Sequence, residues 1–151
     1  MQTTDVSQLN SLLRGEMSAI ETYRQALEKI GDEGGFGVEE LRALQRDHRD
    51  AADALWHHIE QHGGEPSKGS GAWGTFAKAI EGTAKLFGDT AALKALKEGE
   101  EHGLKDYEDA LGNSNLPADC IALIRSLSSR QREHILALDR LMERLPAPAA
   151  R

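Results

Sequence analysis

The chain has 151 residues, 39% hydrophobic and 28% charged, with 18 Lys and Arg against 25 Asp and Glu for a formal charge of -7. That length suits a single domain whose core stands without disulfide staples. The acidic balance, with no basic stripe to offset it, argues against a nucleic-acid partner. Cys120 is the only cysteine, which excludes an intrachain disulfide and a thiolate-rich metal site. Beside Ile121 it reads as a small apolar filler. No run approaches the roughly 18 apolar residues that span a bilayer, and the opening MQTTDVSQLN lacks the apolar centre of a signal peptide. A cytoplasmic location with no membrane partner is therefore expected.

The apolar period is helical nearly throughout. A first helix is expected from Asp5 to Ile30, with Leu9, Leu12, Leu13, Ile20, Tyr23, Leu27 and Ile30 on one stripe. The glycine-rich stretch 31–37 ends it, because consecutive glycines are costly in a helix and permissive in turns. A second helix spans Val38 to His62, facing inward with Leu41, Leu44, Ala52, Leu55 and Ile59, and stops at Gly63-Gly64 shortly before Pro66. Residues 65–74 read as a loop, and Phe76 to Phe87 as a short amphipathic helix using Phe76, Ala77, Ile80, Ala84 and Phe87. A third long helix starts at Asp89 as N-cap and runs to Leu111. After the turn 112–115, Pro117 opens the last helix, which continues to Leu145.

Loop lengths set the topology. The first and second long helices, and the third and fourth, are joined by short turns, so each pair is an antiparallel hairpin. The connection between the hairpins is long enough to cross the bundle's length. The expected fold is an all-α antiparallel four-helix bundle of ferritin-like arrangement, its crossover holding a short extra helix. Residues 1–145 form the bundle, and 146–151 a frayed tail.

The apolar stripes are interrupted in a repeated way. Glu16 precedes Tyr23 by seven residues on the first helix, and Glu100 precedes Tyr107 by seven on the third. The second helix carries Gln45-x-x-His48 and the fourth Gln131-x-x-His134, each pair three apart and so on one helix face. The two halves look like a duplicated hairpin. Taken singly, a glutamate on a stripe sits at its edge, a core histidine is hydrogen-bonded, and a tyrosine fills space. Two buried carboxylates without a cation, however, cost several kcal/mol each or shift their pKa upward. A shared metal ion relieves both.

Glu-x6-Tyr followed by ligand-x-x-His, repeated after a crossover, resembles bacterioferritin and rubrerythrin of the ferritin-like superfamily. There a di-iron centre is held by one Glu from each first helix and Glu-x-x-His from each second helix. The stretch GGEP…GSGAWGTFAKAI is further similar to a group of bacterial ferritin-like, stress-associated domains. The resemblance covers residues 5–145 and implies Glu16, His48, Glu100 and His134 as metal ligands. Tyr23 and Tyr107 would hydrogen-bond the ligand carboxylates. It also implies redox or oxygen and peroxide handling, and a homodimer.

The sequence departs from that pattern at the bridging positions, where Gln45 and Gln131 stand in place of glutamates. A neutral amide is a poorer ligand and rarely bridges two metals, so both are weaker candidates. Two carboxylates balance one divalent ion, which favours a single or weakly held ion. Iron, manganese and zinc all suit two Glu and two His, and a degenerate, metal-free site is the alternative. Asp47, Glu98, Glu101 and Glu133 lie one or two residues off the stripes and would enter only by a register shift. His57, His58 and His62 read as a solvated face, with a surface metal as the lesser reading. No nucleophile–base arrangement is present, and the sequence leaves open whether the protein is an enzyme. A stress-linked interaction protein using Trp56, Trp73 or Phe76 remains a further alternative. With only an Ala/Pro tail after Leu145, cage-type iron storage is not expected.

Overall fold

The computed structural model describes residues 3–32, 37–69, 73–113 and 115–145, with side chains described over 5–30, 37–69, 90–113 and 115–145. The described residues form four helices: α1 (Thr3–Asp32), α2 (Val38–Gln61), α3 (Trp73–Leu111) and α4 (Ala118–Arg144). No described helix is long and apolar enough to cross a membrane.

Contacts along the helices give their directions. On α1 and α2, Gln45 donates to the Ile20 carbonyl at 3.0 Å and His48 meets Glu16 at 2.5 Å, so numbering runs oppositely. On α3 and α4, Lys97 pairs with Asp139 at 2.7 Å and Gln131 donates to the Glu100 carbonyl at 3.1 Å. Between α2 and α4, Arg144 reaches Glu40 and His62 reaches Asp119, at 2.8 and 2.9 Å. Helix α1 packs on α2 and α3, and α4 packs on α3 and more lightly on α2. Because α2 and α3 both oppose α4, they run parallel. Two antiparallel hairpins joined by a crossover is the arrangement expected from loop length.

The crossover itself differs from expectation. The stretch 76–87 and the segment beginning at Asp89 are not separate helices: α3 runs unbroken from Trp73 to Leu111. Position 89 therefore lies inside α3 rather than at a helix start. A single interior glycine such as Gly88 costs a helix only about 1 kcal/mol, which is not enough to force an end. The connection between α2 and α3 accordingly shortens to residues 62–72. The inward faces expected of Phe76, Ala77, Ile80, Ala84 and Phe87, the surface role of Trp73, and the tail 146–151 lie outside the described residues or side chains.

The stop after α2 is as expected. Gly63 adopts a φ of +78°, which favours glycine, and its N–H closes on the Glu60 carbonyl at 3.0 Å. A Cβ on Gly64 would lie 2.8 Å from Val6 Cγ1, so the chain can leave α2 only by passing tightly over α1.

The core divides into two apolar clusters. One gathers Leu9, Leu13, Leu55, Ile59, Cys120 and Ile124 toward the end of the bundle where α1 begins. The other gathers Ile30, Leu41, Leu93, Leu96, Leu138 and Leu141 toward the opposite end. Trp56 is partly buried against the first cluster. Between them, at mid-bundle, lies a layer of buried polar side chains.

Candidate metal centre

The polar layer contains Glu16, Gln45, His48, Glu100, Gln131 and His134, all buried, with Tyr23 and Tyr107 buried beside them. Every residue singled out by the repeated spacing is therefore inside. The helical period places them there: each occupies an inward position between leucines of the apolar stripes.

The two tyrosines each hold the carboxylate of the opposite hairpin. Tyr23 donates to Glu100 Oε1 at 2.6 Å, and Tyr107 donates to Glu16 Oε1 at 2.5 Å. Seven residues of helix span about 10.5 Å, so a tyrosine cannot reach the glutamate on its own helix. On the antiparallel neighbour, the other tyrosine arrives level with it. Burial raises both phenols well above their ordinary pKa, and the facing carboxylate charge adds to that. Both remain donors across the physiological range.

His48 bridges the two carboxylates. Its Nδ1 meets Glu16 Oε2 at 2.5 Å and its Nε2 meets Glu100 Oε1 at 2.6 Å. With a carboxylate on each ring nitrogen, both nitrogens carry hydrogen and the ring is an imidazolium. Burial works against that charge, but Glu100 and Glu16 outweigh it and raise the His48 pKa well above its usual value. Burial likewise pushes the Glu100 carboxyl up, and His48 and His134 together overcome it and hold the group at about 2.

His134 is placed differently. Its Nδ1 lies 3.4 Å from Glu100 Oε2, while Nε2 meets Asp47 Oδ2 at 2.9 Å. The two imidazoles stand 4.8 Å apart between ring centroids. Asp47 is thus the off-stripe acid that enters, its side chain 42% exposed, whereas Glu98, Glu101 and Glu133 are exposed. Its position directly before His48 was the available signal. Donor atoms of His48, Glu100 and His134 all fall within 4.8 Å of one another, close enough to hold an ion, and Glu16 joins through His48.

The glutamines do not aim their amide nitrogens into this group. Gln45 Nε2 donates to the Ile20 carbonyl and Gln131 Nε2 to the Glu100 carbonyl. Gly103 makes room for the latter, since a Cβ there would fall 2.6 Å from Gln131 Nε2.

A cavity of about 40 Å³ opens between α1 and α3 onto Glu16 and Glu100. Water needs about 10–15 Å³ of such space, so a few molecules fit. Gly15, Ala19, Gly99 and Gly103 line it. These small residues also repeat: glycine directly precedes each buried glutamate, and a small residue follows it by three. That part of the duplication is absent from the Glu-x6-Tyr reading and was legible beside it.

Among known proteins, no curated protein matches the chain. A family profile matches residues 4–113, which takes in α1 to α3, with Glu16, Tyr23, His48, Glu100 and Tyr107, and stops before α4. On that match, the chain belongs to the family described as Domain of unknown function (DUF2383).

Proposed function

We propose that the protein is a ferritin-like metal-binding bundle that holds one divalent transition-metal ion at mid-bundle, through Glu16, His48, Glu100 and His134. The observation that carries this reading is the pair of buried carboxylates converging on His48, a place where a positive charge is required. In the metal-free protein a proton on His48 supplies that charge. A metal ion is the other way to supply it.

The donor set fits such an ion. Two carboxylate oxygens and two imidazole nitrogens suit iron, manganese or zinc. In each hairpin, moreover, the Nδ1 of the histidine faces the glutamate of the same hairpin. An ion bonded at about 2.0–2.2 Å to nitrogen and oxygen sets those atoms roughly 3.0–3.5 Å apart, from octahedral to tetrahedral angles. The His134–Glu100 pair at 3.4 Å is already near that spacing, and the His48–Glu16 pair at 2.5 Å must open.

Bound iron would supply one-electron redox chemistry toward oxygen or peroxide. The chain's own residues prepare for it in specific ways. Tyr107 holds Glu16 Oε1 and leaves Oε2 to His48, while Tyr23 shares Glu100 Oε1 with His48 and leaves Oε2 to His134. Asp47 accepts from His134 Nε2, which orients that ring and leaves Nδ1 facing inward. The cavity between α1 and α3 gives a small molecule a way to the carboxylates, while the apolar clusters above and below exclude bulk water. A stress-related role is part of this proposal through the resemblance alone.

A second reading, a bundle that has dispensed with metal, is favoured by the same His48 bridge, which satisfies both carboxylates without an ion. The two separate on uptake. Metal-free protein given Fe(II), Mn(II) or Zn(II) should bind close to one equivalent at mid-bundle, and Glu100→Ala should abolish it. Its melting temperature should climb with metal concentration, as for any ligand that binds only the folded state. Protein that stays metal-free and unshifted with all three ions is the metal-independent bundle.

A further inference from the structure

At the end of the bundle where α2 finishes and α4 begins, a second group of ligand-type side chains comes together. His58 in the last turn of α2 and His62 at its C-cap are one turn apart, and Asp119 and Cys120 occupy the first turn of α4. Their donor atoms lie within 4.8 Å of one another. His62 Nε2 is 2.9 Å from Asp119 Oδ2 and 3.6 Å from Cys120 Sγ, and His58 Nε2 is 3.4 Å from Asp119 Oδ2. About 15 Å of helix separates His58 from His48, so this group is distinct from the mid-bundle one.

Three features distinguish it from an ordinary surface cluster. His58 Nε2 is buried yet makes no hydrogen bond among the described residues, an arrangement that costs about 1–3 kcal/mol unless something else occupies it. The spacings match a coordination shell. Bonds of about 2.0–2.3 Å arranged tetrahedrally set donors roughly 3.3–3.6 Å apart, close to the contacts found here. The helix ends also cooperate. The C-terminal end of α2 carries partial negative charge and favours a cation, while the N-terminal end of α4 favours the anionic forms of Asp119 and Cys120.

We propose that His58, His62, Asp119 and Cys120 form a second metal site, a four-donor set of two imidazoles, one carboxylate and one thiolate for a borderline divalent ion of the zinc class. Cys120, 0% exposed, forms its floor, and the half-exposed Asp119 its rim, so an ion enters from solvent without unfolding the bundle. The thiolate separates its preference from the mid-bundle group, whose donors are oxygen and nitrogen alone. Coordination takes Cys120 as its thiolate and releases the thiol proton to water. The two sites share no ligand, so each can load without the other.

Cobalt(II) reports the site directly, because only a bound thiolate gives a sulfur-to-cobalt charge-transfer band and Cys120 is the only thiol. Titrating reduced, metal-free full-length protein with Co(II) should raise that band to saturation within two equivalents, the mid-bundle group taking the other, and Zn(II) should bleach it. Glu100→Ala should leave it unchanged. Cys120→Ala should remove it, and His62→Ala, at a partly exposed position, should weaken Co(II) binding by at least about tenfold. No charge-transfer band in the wild-type protein at excess Co(II), or a band of undiminished affinity in His62→Ala, overturns the proposal.

Discussion

The two hairpins carry the same polar residues in matching places, yet they use them unequally. In the first, His48 lies between both carboxylates, with Glu16 and Glu100 at 2.5 and 2.6 Å. In the second, His134 meets Glu100 at only 3.4 Å and spends its other nitrogen on Asp47. The residue that decides this is the acid ahead of the histidine. Asp47 is placed to meet a ring on α4, whereas Glu133, its counterpart on α4, is exposed. A duplicated sequence thus yields a site with one buried imidazolium and one ring held from outside. A single ion, rather than a symmetric pair, suits that inequality.

Removing the rings one at a time should expose the difference most strongly. In metal-free protein His48→Ala leaves two buried carboxylates facing each other, and breaking a buried pair in this way costs about 3–5 kcal/mol. His134→Ala removes one long contact and one to a half-exposed acid, and should cost no more than about half as much. Denaturant melts of the two variants measure the gap. Equal losses would mean that the His48 bridge is not the stronger element.

The tyrosines should behave alike where the histidines do not. Tyr23→Phe and Tyr107→Phe each delete one hydrogen bond to a buried carboxylate, worth about 1.5–3 kcal/mol. Both should also lower metal affinity, because the freed carboxylate loses its orientation. Isothermal titration on the two variants checks whether the loss is shared evenly between hairpins.

The pH dependence follows from the His48–Glu100 contact. Glu100 is held at about 2, below its unfolded value, so its stabilising contribution is present above pH ~4.5 and is lost as pH falls toward 2. His48 is raised above its unfolded value, so its contribution is complete below about pH 6.5 and is lost as pH rises through the folded pKa. Metal-free protein should therefore be most stable between those limits, with decline on both sides. Metal binding should strengthen as pH rises, because the His48 proton competes with the ion. Thermal melts across pH, with and without metal, show both slopes.

The smallest effect belongs to Asp47. Its side chain is 42% exposed, so Asp47→Ala should cost under about 1 kcal/mol. It should nonetheless release His134, visible as a changed imidazole signal by NMR with that of His48 unmoved.

Much of this was legible in the chain because it is written in the helical period. Glu16, His48, Glu100 and His134 each fall where the stripe of leucines points inward, and all four are buried. The partners were harder to read. Glu-x6-Tyr placed each tyrosine on the right face, but which glutamate it holds depends on α1 and α3 being antiparallel neighbours. Asp47 sits off the stripe and enters only because the His134 ring reaches past the core to the helix surface. The histidines at the end of α2 were visible as a one-turn pair, whereas Asp119 and Cys120 join them through tertiary packing alone. Asp89 looked like a helix start because Asp makes a good N-cap, and local preference was overridden there.

Anomalous diffraction at the iron, manganese and zinc edges, on crystals of metal-loaded protein, bears most directly on the mid-bundle centre. A single peak bounded by Glu16, His48, Glu100 and His134, with His48 Nδ1 no longer hydrogen-bonded to Glu16, is the outcome expected. Loaded crystals with no peak there, and His48 still joined to both carboxylates, would contradict it.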